Sequence, residues 1–159
     1  MTVIHRKFAA AIACAALALP LAAVAAGEPK KPVAAQKKKP VAKMAKKERM
    51  VIQVSDADSK KWNLALNNAK NVQTDLGADK TEIEIVAYGP GIGMLKADAE
   101  VANRIEEAAA AGVKVVACEN TMKAQKISRD DMHKNVEYVP AGVVELMRRQ
   151  QQGYAYIRP

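Results

Sequence analysis

Cysteine and histidine are scarce in this chain of 159 residues, with two of each. One of each, His5 and Cys14, lies in the first 26 residues, which read as a removable leader. Removal would leave Cys118 and His133. One cysteine excludes an intramolecular disulfide and leaves only an intermolecular or mixed one open. One Cys and one His are too few ligands for a zinc site of those residues, so no metal and no cofactor is expected. Aromatic residues make up only 4% of the chain. None falls in its most basic stretch, so the basic face with interleaved aromatics of a nucleic-acid binder is missing. No apolar run long enough to span a membrane follows the leader. No repeat of fixed period occurs.

The leader itself has a basic start, His5-Arg6-Lys7, an apolar stretch from Phe8 to Leu21, and small residues from Ala22 to Gly27. That order matches a secretory signal peptide over 1–26, cleaved after Ala25 or Ala26. The apolar run falls short of the roughly 20 residues a spanning helix needs. Cys14 has Ala11 three positions before it and the apolar run continues beyond, which argues against a lipid anchor. The expected product is periplasmic or secreted, with no nucleic-acid partner.

The net charge of +8 is unevenly spread. Residues 27–48, "GEPKKPVAAQKKKPVAKMAKKE", hold eight lysines against Glu28 and Glu48, whereas from Arg49 onward basic and acidic residues balance. A Lys/Pro/Ala segment buries too little apolar area to offset chain entropy and is expected to be a disordered linker. It reads as a solubilising spacer, with weak attraction to anionic surfaces as the alternative.

Residues 49–159 read as one α/β domain. Met50–Val54 is a short, nearly continuous apolar run, as in a strand covered on both faces. Trp62, Ala65, Leu66, Ala69, Val72 and Leu76 recur on one helical stripe that Gly77 closes, and Trp62 reads as core. Thr81–Tyr88 is a second strand, and "GPGIG" at 89–93 an irregular loop. A helix is predicted from about Asp98 to Ala111 and a third strand over Val113–Ala117. A short helix capped by Asn120 or Thr121 follows. Asp130-Asp131 reads as another helix start. Val136–Val139 is a strand, Ala141–Gln151 a helix with Val144 and either Leu146 or Met147 inward, and Tyr154–Ile157 the last strand. Strands alternating with helices predict a five-stranded, mostly parallel sheet with helices on both faces.

Cys118 stands where the third strand stops. Ligands of open parallel sheets collect at the carboxyl ends of strands. The segments "SDAD" (55–58), "YGPGIG" (88–93) and "PAG" (140–142) would leave the same edge and line a shallow cleft. A cysteine just before a helix start meets free backbone N–H groups and the positive end of the helix dipole, which favour a thiolate. The catalytic candidate is therefore Cys118. The pocket candidates are Tyr88, Gly89, Gly91, Gly93, Asn120 and Thr121, the glycines allowing close backbone approach. The loop fits neither a P-loop nor a dinucleotide fingerprint. The plain alternative is a buried cysteine acting as a small hydrophobe. His133, in the polar stretch "SRDDMHKN", is expected to meet solvent rather than pair with Cys118.

Taken together, "KVVACENTM", "VEYVPAGVVELMRRQQQGYAYIRP", "EIEIVAYGPGIGML" and the first strand with its Trp62 helix resemble the DsrE/DsrF-like family over about Arg49 to Pro159. The joint pattern is Tyr88-Gly89, Cys118, Asn120-Thr121-Met122 and Gly142 with Glu145-Leu146. The resemblance implies a single parallel α/β domain that assembles as a homotrimer or hexamer. In the family's sulfur-relay members a strand-end cysteine carries persulfide sulfur between partner proteins, and Cys118 matches that position. Unlike those cytoplasmic proteins, this chain carries an export leader and has no second cysteine in its domain. Two functions stand beside each other: sulfane-sulfur binding or transfer on Cys118 with a donor or acceptor protein, and a noncatalytic oligomeric module with a structural cysteine. Surface tethering through residues 27–48 is a third.

Overall fold

The computed structural model describes residues 46–159. The leader expected at 1–26 and all but the end of the basic segment at 27–48 lie outside the described residues. No helix among the described residues is long and apolar enough to cross a membrane.

Five strands form one sheet: β1 (Glu48–Val54), β2 (Thr81–Ala87), β3 (Lys114–Cys118), β4 (Glu137–Val139) and β5 (Ala155–Ile157). Their order is β4-β3-β2-β1-β5, and every pairing is parallel. Four helices connect them: α1 (Ser59–Leu76), α2 (Ala102–Ala110), α3 (Glu119–Gln125) and α4 (Gly142–Gln151).

The order decides which face each helix covers. From β1 to β4 the chain steps in one direction, so right-handed crossovers put α1, α2 and α3 on one face. From β4 it returns across the sheet to β5 beside β1, and the same handedness lays α4 on the other face. The first face is the main core. Ile52, Ile85 and Ile105 are fully buried there, with Ala65, Leu66, Ala69 and Met122 packed over them. Burying each such isoleucine is worth about 1.5–3 kcal/mol. The α4 face holds a smaller apolar cluster of Val51, Val86, Val116, Leu146 and Tyr154. Leu146 is thus the inward residue of α4, while Met147 is half exposed at 51%.

Local chemistry sets the ends of α1. Asp58 caps it by accepting from the Lys60 N–H at 2.9 Å. Gly77 stops it at φ 95°, where a side chain would be strained. Trp62 is half-buried rather than enclosed: its ring packs against the core, and its indole N–H donates to the Asp56 carbonyl at 2.7 Å.

Several expectations need correction. The 89–93 stretch is not irregular. Residues Gly89–Leu95 form a 3-10 helix that buries Ile92, Met94 and Leu95. The second helix begins at Ala102, not Asp98, because Ala97 donates to the Asp131 carbonyl and Lys96 bridges Met132, which holds that entry out of helical geometry. Asp130-Asp131 starts no helix; the Asp131 carboxylate instead accepts from the N–H and hydroxyl of Ser128 in a local turn. These bonds hold the Asp131 carboxyl below the ordinary carboxylate range.

Candidate functional site

Cys118 ends β3 and is itself the residue before α3, so neither Asn120 nor Thr121 caps that helix. The strand register sets its neighbours. Val54 pairs Ala87, and Ala87 pairs Ala117, so the next residues, Ser55, Tyr88 and Cys118, stand side by side along the carboxyl edge. Cys118 pairs Val139 on its other side. Side chains alternate along a strand, so Tyr88 and Cys118 share the α4 face with Val86 and Val116, two residues earlier in their strands. Gly142, the first residue of α4, lies over them. A Cβ added at Gly142 would sit 3.2 Å from the Cβ atoms of both Cys118 and Tyr88 and 3.3 Å from Val86 Cγ1. Only a residue without a side chain lets the start of α4 come this near the sulfur.

Four donors favour the thiolate of Cys118: the Thr121 hydroxyl and the backbone N–H groups of Gly142, Thr121 and Asn120. The Asn120 N–H is also bound to the Pro140 carbonyl at 3.1 Å. Burial pushes the thiol up, but the donors outweigh it and hold Cys118 below the ordinary cysteine value. Thr121 does double duty: its oxygen accepts the Gly89 N–H at 3.0 Å, and its hydroxyl helps hold the Cys118 thiol down. Gln125 closes the same corner by donating to the Gly89 carbonyl at 3.1 Å. Arg129 then anchors α3 from outside, paired with Glu119 at 2.7 Å and stacked 4.3 Å from the Tyr138 ring centroid.

Although it stands at this edge, Cys118 is only 5% exposed. Its surroundings are nonetheless mixed rather than aliphatic, and Tyr88, Gly89 and Thr121 beside it are partly exposed. The three glycines divide. Gly89, at φ 53°, belongs to the corner around Thr121. Gly91 and Gly93 serve packing. A Cβ on Gly91 would lie 2.4 Å from the Val54 carbonyl oxygen, and one on Gly93 would touch the Trp62 ring at 3.4 Å.

His133 does not meet solvent as expected; it is 9% exposed. Its N–H donates to the Leu95 carbonyl, and its Nδ1 accepts from Asn135. These contacts tie it to the end of the 3-10 segment at Leu95. Sequence reasoning missed Gly142 as a donor, although "PAG" before a helix placed it at the right edge. It also missed the buried ions on the α4 face. Arg149 bridges Glu84 at 2.6 Å and Glu145 at 2.8 Å, and Glu84 Oε1 has no partner. A glutamate inside an apolar strand, "EIEIVA", was the available signal. A groove of about 200 Å³ lies elsewhere, between α1 and α2, lined by Leu66, Lys70 and Arg104 among others.

Solved structures share this architecture. A protein of unknown function from Methanobacterium thermoautotrophicum is 36% identical, with a TM-score of 0.67, over 70% of this chain and 99% of that one. The ychN protein from E. coli matches at 16% identity and TM-score 0.60, over 70% of this chain and 99% of its own. A protein of unknown function from Bacteroides thetaiotaomicron matches at 16% and 0.56, over 70% of this chain and 95% of its own. The last two speak to the fold alone. No curated protein matches the chain. The DsrE/DsrF-like family model matches residues 48–159, the whole of the sheet and its helices, and the chain belongs to that family.

Proposed function

We infer that the protein takes up sulfane sulfur on Cys118 and passes it on as a persulfide. One observation carries this reading: the free thiol of Cys118 stands at the carboxyl edge of the sheet with the start of α4 packed against it at Gly142, and a hydroxyl and three amides from the starts of two helices favour its thiolate. The Cys118 thiolate attacks the outer sulfur of a donor R–S–SH. A new S–S bond forms, the bond between the donor's two sulfurs breaks, and R–S⁻ departs. The products are Cys118–S–SH and the donor thiolate, so atoms and charge balance and no oxidant is required. Once the terminal sulfur loses its proton, the same donors hold its negative charge. Partner proteins that give or receive the sulfur, and an exported, periplasmic setting, belong to this reading. So does a homo-oligomer, trimer or hexamer. Val143 and Met147, one turn apart on α4 and 61% and 51% exposed, form an apolar stripe that a second copy would cover.

The test is to expose the purified protein to inorganic polysulfide and weigh it intact. A gain of one sulfur on wild type and none on Cys118→Ser is expected. No gain on wild type, or equal gain on both, defeats the reading. The second reading is a noncatalytic assembly module, which the 5% exposure of Cys118 favours. It requires a thiol that stays unreactive toward iodoacetamide in the folded protein.

A further inference from the structure

Beside the sulfur runs a polar chain to which the transfer chemistry above assigns no role. Gln53 lies on β1 two residues after Val51, so it faces α4, and it is 8% exposed. Both ends of its amide are engaged. Its Oε1 accepts the hydroxyl of Tyr156 from the neighbouring strand β5, and its Nε2 donates to Ser55 Oγ at 3.0 Å. A hydroxyl oxygen that accepts from an amide keeps its own hydrogen for another acceptor. The chain Tyr156–Gln53–Ser55 therefore leaves the Ser55 hydroxyl hydrogen available to another acceptor.

Its position gives that donor meaning. Ser55 and Tyr88, the residues just past β1 and β2, stand level with Cys118, the last residue of β3. Neighbouring strands lie about 4.8 Å apart, so Ser55 and Cys118 are separated by roughly 10 Å, with the partly exposed Tyr88 between them. An extended peptide covers about 3.3–3.6 Å per residue. A thiol carrier of two or three residues, sulfur at Cys118, would bring a carboxylate or carbonyl oxygen to Ser55 while its chain crosses Tyr88. Two contacts fix the loop that bears Ser55. The Trp62 indole holds the Asp56 carbonyl, and Gly91 packs against the Val54 carbonyl.

We propose that the Tyr156–Gln53–Ser55 chain is a recognition subsite for a low-molecular-weight peptide thiol or persulfide, binding an acceptor oxygen of the carrier two strands from Cys118. The proposal rests on the sulfur-transfer reading for the identity of the ligand, but its test does not require transfer. The probe is S-methylglutathione, which cannot donate sulfur, titrated calorimetrically into the full chain. Ser55→Ala should weaken binding about ten- to hundredfold, as loss of one hydrogen bond to a charged group does. Ser55→Thr, which keeps the hydroxyl, should restore it. Tyr156→Phe, acting through Gln53, should weaken it by less. A control thioether without carboxylates, S-methyl-N-acetylcysteamine, should bind wild type and Ser55→Ala alike. Equal binding of S-methylglutathione to wild type and Ser55→Ala, or no binding to wild type, overturns the subsite. The polysulfide reaction needs no carboxylate, so labelling of Cys118 by polysulfide without glutathione recognition would remove the subsite and leave transfer standing. Recognition without labelling would do the reverse.

Discussion

The two faces of the sheet are built by different rules. The face under α1, α2 and α3 is filled with aliphatic side chains, and its stability comes from area removed from water. The face under α4 has one helix for five strands and a thin apolar cluster, with ions and amides set into it. Glu84 lies at the centre of that face, 2% exposed at its side chain. Burial pushes its carboxyl up, and Arg149 only partly offsets the shift. Nearby, burial together with Glu82 pushes the Tyr154 phenol up to about 12. Ile85 and Val86 are successive residues of β2, both fully buried, yet they serve these separate cores. The lesson is a division of labour: the helix-rich face keeps the sheet rigid, and the α4 face carries polar groups whose placement depends on that rigidity.

The comparison can be broken most sharply at Arg149. Arg149→Leu leaves Glu84 buried without its cation, which costs about 3–5 kcal/mol. Urea unfolding should show this as a lower midpoint with unchanged slope. The double change with Glu84→Leu should recover part of the loss, because only the less buried Glu145, 13% exposed at its side chain, then lacks its cation. If the single substitution proves harmless, the α4 face is held by apolar contact like its counterpart.

Gly142→Ala should be next in size. The new methyl meets Cβ atoms of two strands at 3.2 Å, and overpacking of this kind costs about 1–3 kcal/mol. It also pushes the start of α4 off the sulfur, so the Cys118 thiol should titrate higher, read as iodoacetamide alkylation against pH. A thiol midpoint that does not move would remove Gly142 from the donors.

The smallest change in stability belongs to Thr121→Val, about 1 kcal/mol for the lost bond to the Gly89 N–H. Its chemical effect is clearer. The hydroxyl favours the thiolate, so its removal raises the thiol midpoint, and the alkylation rate near neutral pH falls while the plateau at high pH remains. An unchanged midpoint would place the Thr121 proton elsewhere.

Much of the fold was legible because its signals are local. Met50–Val54 and Thr81–Ala87 are apolar runs, the α1 stripe is periodic, and Gly77, Gly112 and Gly153 each take positive φ near a helix end. Cys118 was legible as the end of β3 for the same reason. The donors around it were legible only where they follow it in the chain, as Asn120 and Thr121 do. Gly142 comes from 24 residues further along, and only the return of α4 across the opposite face delivers it. Burial was the least legible property. His133 sits among Arg129, Asp130, Asp131 and Lys134, yet long-range contact with Leu95 encloses it. Gln53 and Glu84 look like surface residues on their strands until β5 and α4 arrive over them.

An all-parallel sheet has two unlike rims. Every strand enters at one and leaves at the other, so Glu48 opens the domain on the rim opposite Cys118. Seven residues of β1 rising about 3.3 Å each put roughly 20 Å between the two. Whatever is joined ahead of Glu48, by nature or by an experimenter, therefore enters the domain at the rim opposite Cys118.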